Sequence, residues 1–276
     1  MPDPRKSPRR DPSSRRPRPN PRPPLKIFTT TLWEYPSQHY DSKFSSMQGS
    51  RDYVGATPSW IIWQLLQRYT REKDLVVDPM AGSGTTIDVA RELNRRALGY
   101  DLVPRRSDVF RADARKLPLE DAVADFVFVD PPYSTHIDYS DDPACIGKLD
   151  ASGPDSGSAY YTAMTGVISE IHRVLKNRRY CALYVSDSWK KKKNAPANDH
   201  ARHSTSNAHR PNTEGGFMPI GFTLFNMLCQ HFTPIDIIAV VRHNAKLQQG
   251  NFHKTAREQN FFLRGFNYLF IMKKTD

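Results

Sequence analysis

Apolar residues in this chain gather in short runs that stop at acids, separated by stretches in which they recur every three or four positions. "DLVVD" (74–78), "LGYDL" (98–102), "DFVFVD" (125–130) and "YCALYVSD" (180–187) have the length and β-branched content of buried strands. "IDVARELNRRA" (87–97) reads as a helix. "YYTAMTGVISEIHRVLK" (160–176) sets Met164, Ile168, Ile171 and Leu175 on one helical stripe. "PIDIIAVVRHN" (234–244) and "FNYLFIMKK" (266–274) close the chain as two further strands. Strands alternating with helices predict an α/β protein with a doubly wound sheet, mainly parallel, ended by an antiparallel C-terminal strand. Such sheets bind ligands outside the carboxyl ends of their strands, where the acids and glycines of this sequence are concentrated. Upstream, "GATPSWIIWQLLQRY" places Thr57 as a helix N-cap with Pro58 in the first turn, and Trp60, Trp63 and Leu66 as core.

The 276 residues, 38% of them apolar, suffice for one large domain over 26–276. Residues 1–25 do not belong to it: rich in Pro, Arg and Ser, with eight Lys or Arg against two Asp, they read as a disordered basic arm. A second biased stretch, 190–216, opens on Lys190, Lys191, Lys192 and Lys193 and reads as a mobile basic insertion. The net charge of +11 favours a polyanionic partner, since Lys and Arg gain affinity by displacing counterions. Three scattered cysteines and histidines without zinc spacing predict neither a metal nor a disulfide framework. No apolar run reaches the roughly 20 residues of a membrane span, and no secretion signal leads the chain. The expectation is a soluble cytoplasmic protein associated with the nucleoid.

"DPMAGSGTT", from Asp78 to Thr86, takes a strand through a glycine turn into a helix. That leaves backbone N–H groups pointing outward, and Gly82 and Gly84 allow a ligand close approach. A Walker loop would carry lysine where Thr85 and Thr86 stand, and the match to a dinucleotide GxGxxG is imperfect. Asp101, 17 positions after Gly84, ends the next strand where an acid can accept ribose hydroxyls. Ala112 and Asp113 follow in a third loop, where the carboxylate could receive an adenine amino group. Each acid also reads as a helix cap or a surface charge.

"DPMAGSGTT" followed by "VDPPY", ending at Asp130, Pro131, Pro132 and Tyr133, resembles the paired motifs of the S-adenosylmethionine-dependent DNA amino-methyltransferases, enzymes that methylate exocyclic adenine or cytosine nitrogens. The resemblance runs over about residues 55–275 and implies a Rossmann-like methyltransferase sheet with S-adenosyl-L-methionine as cofactor. It assigns cofactor contacts to Thr57, Asp78, Pro79, Ala81, Gly82, Ser83, Gly84, Thr86, Asp101, Ala112 and Asp113. The chemistry explains the second motif. A base amino group is a poor nucleophile because its lone pair is delocalised into the ring. If the Asp130 carboxylate and the Pro131 carbonyl each accept one N–H, the lone pair can face the sulfonium methyl. The prolines hold those oxygens in place, and Tyr133 can stack on the extruded base. An acid at the first position leans toward adenine N6, with cytosine N4 as the alternative. Related folds that methylate guanine in RNA or glutamine in protein use variants of this tetrapeptide, which makes RNA the closest enzymatic rival, and a nucleic-acid-binding module without turnover is the rival of another class.

Only about 45 residues separate the two motifs, which leaves no room between them for a recognition domain. Target reading falls to loops: the segment after Tyr133, with His136 and Asp138, the basic insertion, and 242–265. In the last, Arg242, His243, Lys246, His253, Lys254, Arg257 and Arg264 can meet phosphates, Phe252 can stack, and Phe261 and Phe262 anchor the loop to the core. DNA is the expected partner and RNA its rival. A homodimer, or a separate recognition or restriction partner, would complete a site this short. The segment 29–44 mixes aromatic and polar residues and has no assigned role.

Overall fold

In a computed structural model of the protein, the described residues are 23–43, 46–50, 52–53, 55–133, 137, 139–152, 156–190, 216–243 and 245–276. The basic arm up to residue 22, Lys191, Lys192, Lys193 and the insertion through residue 215, His136 and Asp138 lie outside them, as do the side chains of Lys190 and Lys246.

In chain order the elements are β1 (Leu32–Trp33), α1 (Ser59–Tyr69), β2 (Leu75–Asp78), α2 (Thr85–Glu92), β3 (Arg96–Asp101), β4 (Val109–Arg111), β5 (Ala124–Val129), α3 (Ser158–Val174) and β6 (Leu175–Val185). Then come β7 (Ser188–Lys190), β8 (Gly216–Met218), α4 (Ile220–Leu228), β9 (Thr233–Val241), α5 (Gly250–Glu258) and β10 (Phe266–Lys273). The main sheet runs β1-β9-β10-β6-β5-β2-β3-β4. Strands β2 to β6 pair in parallel, and β10 lies antiparallel between β6 and β9, as the sequence pattern predicts.

Alternating side chains divide the core between the two faces of this sheet. Val76, Phe126, Phe128, Ala182 and Ile271 pack with α1 and α2 residues such as Ile62, Leu65 and Val89. Val77, Val127, Val129, Leu183 and Phe270 pack with α3 and α4 residues such as Met164, Ile168 and Leu224. From β2 the chain moves outward through β3 and β4, then returns to lay β5 on the other side of β2. The order therefore reverses between β2 and β5, whose residues Val76 and Phe126 are register partners. Asp78 ends β2 and Asp130 comes directly after β5, so both carboxylates sit at the switch point.

Three local expectations are corrected. The helix expected over 87–97 stops at Glu92, because Asn94 turns left-handed at φ 59° and Arg95 N–H returns to the Ala90 carbonyl; Arg96 and Ala97 enter β3. The strand expected from 180 begins at Leu175, directly after α3. Thr57 is not the cap of α1: Pro58 holds that position, without a side-chain cap hydrogen bond. The sequence pattern predicts neither α4 nor α5. The first is apolar nearly all round and lacks a periodic face; the second is short and polar.

Candidate active site

The glycine turn is fixed by hydrogen bonds from both flanks. Asp78 is buried; its Oδ1 accepts the Met80 N–H at 3.0 Å and its Oδ2 the Thr86 hydroxyl at 2.6 Å. Ala81 N–H donates to the Tyr100 carbonyl, and Gly82 N–H to Asp101 Oδ2 at 3.1 Å. Ser83 is buried and shares a hydrogen bond with Thr85. Gly82 and Gly84 are left-handed, with φ 47° and 78°. The close approaches they permit are made by the protein itself: a Cβ on Gly82 would meet the Tyr53 ring at 2.7 Å, and one on Gly84 the Arg106 guanidinium at 2.6 Å. Arg106 also donates to the Ser83 carbonyl and forks onto Asp88 and Asp108, which holds the Asp108 carboxyl down at about 2. Sequence reading missed this staple, since a lone arginine in a loop carries no pattern.

Asp101 uses Oδ1 on Val103 N–H and Oδ2 on Gly82 N–H. With Pro79, Leu102, Ala112 and Asp113 it lines a narrow cavity of about 80 Å³. Arg115 forks onto Asp113 at 2.5–3.1 Å and draws that carboxyl below its usual range. Asp113 thus reaches the cavity with its charge already paired. Arg105 lies 5.3 Å over the Tyr53 ring, and both line the same cavity. Ligand pockets run about 300–1000 Å³, so a nucleoside enters here only if the Tyr53–Arg105 pair moves.

The second motif lies beside the first. An open cavity of about 1280 Å³ is lined by Thr57, Asp78, Ala81, Gly82, Ser83, Thr86, Asp130 and Tyr133 together. Thr57 Oγ1 donates to Asp130 Oδ2 at 2.6 Å. Burial, and secondarily the Asp78 charge, push the Asp130 carboxyl up to about 7 against the opposing Thr57 hydrogen bond. Burial likewise pushes Asp78 to about 7, with hydrogen bonds from Thr86 and Met80 opposing it. Pro131 is buried, and Pro132 lines the narrow cavity.

The unassigned segment 29–44 supplies a wall: Tyr35, Gln38, His39 and Tyr40 line the large cavity. Tyr184 of β6, Arg242 and His243 just past β9, and Asn267 of β10 line it as well. Trp60 Nε1 and Asn267 Oδ1 are buried there without a hydrogen-bond partner among the described residues. No spacing marks these residues, because they meet only through strand order. Of the expected phosphate contacts, Arg242 and His243 border the cavity, His243 facing Glu34 at 3.5 Å. Lys254 is exposed beside Glu258, and Arg264 lies over the Phe217 ring. Phe261 stacks on Trp189, as an anchor should, but Phe262 is 87% exposed and anchors nothing. Among the described residues no cluster of His, Cys, Asp or Glu is arranged to hold a metal, and no helix is long and apolar enough to cross a membrane.

A glycine turn and an acid-Pro-Pro-Tyr turn thus face one cavity at the switch point of a Rossmann-like sheet. Residues 3–111 match a family model described as DNA methylase; the match takes in the glycine turn and Asp101 and ends before Asp130. Type II methyltransferase M.HindIII of Haemophilus influenzae is 34% identical over 68 residues, 25% of this chain and 21% of that protein. Type II methyltransferase M1.MboII of Moraxella bovis is 30% identical over 71 residues, 26% of this chain and 27% of that protein. The matches thus span about a quarter of these curated relatives. Over those stretches the chain is similar to DNA methylases and to Type II methyltransferases. A putative DNA modification methylase from Thermus thermophilus, complexed with S-adenosyl-L-methionine, overlaps 60% of this chain and 54% of that one at 13% identity, TM-score 0.38. TrmN from Thermus thermophilus overlaps 80% and 50% at 16% identity, TM-score 0.45. The fold class rests on the strand order itself.

Proposed function

We propose that this chain transfers a methyl group from S-adenosylmethionine to the exocyclic amino group of a base in DNA, adenine N6 ahead of cytosine N4. The observation that carries the reading is the shared cavity, in which the glycine turn and Asp130 face one space large enough for two ligands. The donor set suits a cationic cofactor: two desolvated carboxylates, the buried Asp78 and the half-buried Asp130, lie where a sulfonium would offset that desolvation. An electrophilic methyl carbon is what that cofactor supplies when bound.

The protein's share is positioning. With Oδ2 held by Thr57, Asp130 is assigned to accept one base N–H through Oδ1, while the Pro131 carbonyl takes the other. Two acceptors turn the nitrogen lone pair out of the ring. Tyr133, half-buried against the core, offers its ring to the base. After transfer the nitrogen sheds a proton, and a carboxyl near 7 can take it and pass it to solvent. Asp at the first motif position supports adenine over cytosine.

The test is methyl transfer from labelled cofactor to DNA, RNA and protein in parallel, with nucleoside analysis of the product. N6-methyladenine in DNA is expected. N4-methylcytosine would move the base assignment, label in RNA or protein would overturn the DNA reading, and DNA binding without transfer would leave a silent module.

A further inference from the structure

We propose that Phe262 is the base-stacking contact of a nucleic-acid shelf built from the paired strands β7 and β8 and the 242–265 excursion. The inference deepens the reading above and rests on it. The excursion leaves the end of β9 and returns at the start of β10, closed at its base by Arg242 N–H on the Gly265 carbonyl at 2.9 Å and by the Val241–Phe266 pair. Its root therefore borders the cavity that holds Asp130, through Arg242 and His243.

Phe261 and Arg264, on either side of Phe262, are tied down. Phe261 stacks on Trp189 of β7 with ring centroids 5.1 Å apart and planes 22° from parallel. Arg264 lies 4.7 Å over the Phe217 ring of β8 and donates to the Phe262 carbonyl at 3.2 Å. Strands β7 and β8 are held together by Ser188 to Lys190 pairing with Met218 to Gly216. Between these fixed points Phe262 stands 87% exposed, and Phe217, under the Arg264 guanidinium, is 48% exposed. A backbone tethered on both sides that holds one aromatic side chain in water provides a platform for a planar partner.

Charge selects the partner. Residues 242–265 carry five Lys or Arg against one Glu. A second copy of the chain would bring the same sign to the same place, whereas a phosphate backbone neutralises it. Every base has a π-face, so stacking here needs no particular sequence. The occupant is an unpaired base: one in a single strand, or the partner left alone when the target is extruded from a duplex.

The experiment measures anisotropy of a fluorescein-labelled mixed-sequence strand of about 30 nucleotides, alone and as a duplex, with wild type, Phe262→Ala, Phe262→Leu and Phe262→Trp. Ala and Leu should each weaken single-strand binding by about five-fold or more, the low end of base-on-aromatic stacking, and Trp should restore it. Melting temperature and cofactor affinity should not move, because the side chain is exposed. Leu behaving like wild type would overturn stacking in favour of plain apolar contact. A dimer that dissociates in the Ala variant with unchanged oligonucleotide affinity would assign the surface to a second copy. If all variants bind the strand equally, the shelf falls and the DNA reading stands; if wild type binds no nucleic acid, both fall.

Discussion

Thr57 Oγ1 and Asp130 Oδ2 lie 2.6 Å apart although 73 positions separate them in sequence. The bond fixes one carboxylate oxygen and so orients the other. A hydrogen bond to an ion contributes about 1.5–3 kcal/mol, roughly 10- to 100-fold in rate if made fully in the transition state. Thr57→Ala should lower kcat by that factor, with cofactor affinity within about three-fold of wild type. Because the bond opposes the upward shift of Asp130, its loss should also move the acid limb of the pH profile to higher pH. Thr57→Ser should restore both. A Ser variant as slow as Ala, or an unmoved acid limb, would remove Thr57 from positioning.

Asp130 gives a second expectation, independent of turnover. Its carboxyl rises from 3.8 to about 7 on folding, so the neutral form is the one that the fold favours. Such a group contributes stability fully below about pH 4, lost as pH rises through about 7. Asp130→Asn should therefore be more stable than wild type at pH 8, by about 1–2 kcal/mol given the carboxyl's contact with solvent, and nearly equal at pH 4. Urea unfolding at the two pH values reads this directly. Equal stabilities at pH 8 would show that burial does not strain the carboxylate. Asp130→Ala should abolish transfer while leaving cofactor binding near normal; joint loss would indicate misfolding.

Charge on the cofactor offers a third comparison. S-adenosylmethionine carries a sulfonium, and S-adenosylhomocysteine a neutral sulfur. With Asp78 and Asp130 both near 7, a cation beside them favours their ionised forms, and its affinity should climb from pH 6 to pH 8 as they lose protons. The ratio of the two affinities should rise by about ten-fold over that range, measured by calorimetry, with proton release on binding only the cationic ligand. Parallel pH dependence for both ligands would mean that neither carboxyl faces the sulfur.

Much of this site is legible from the residues because its two turns announce themselves locally. An acid closes β2 and another stands just past β5, and glycine or proline then fixes the shape of each turn. Adjacent strands place Asp78 and Asp130 together. The other walls give no such signal. Tyr35, His39 and Asn267 reach the cavity only through strand order, and Tyr53 and Arg106 hold the glycine turn from irregular loops. Thr57 is legible as a polar residue before a helix, but it stands one residue ahead of the cap position, and its hydroxyl donates to a carboxylate just past a distant strand.

Gly84 and Arg106 make a closing test of how the glycine turn is held. Two separate penalties oppose a side chain at position 84: a left-handed φ of 78°, costing about 1–2 kcal/mol for an L-residue, and a guanidinium 2.6 Å from the Cβ position. Gly84→Ala should therefore destabilise by more than the backbone penalty alone. Arg106→Ala removes the clash but also the bonds to Ser83, Asp88 and Asp108, leaving two carboxylates without their shared cation. In the Arg106→Ala background, adding Gly84→Ala should cost only the backbone part, a non-additivity of about 1 kcal/mol or more in a double-mutant cycle by urea unfolding. Strict additivity would mean that the guanidinium swings aside freely. The staple over the turn would then be a surface ion pair of little consequence, and the turn would have to be held by Asp78 and Asp101 alone.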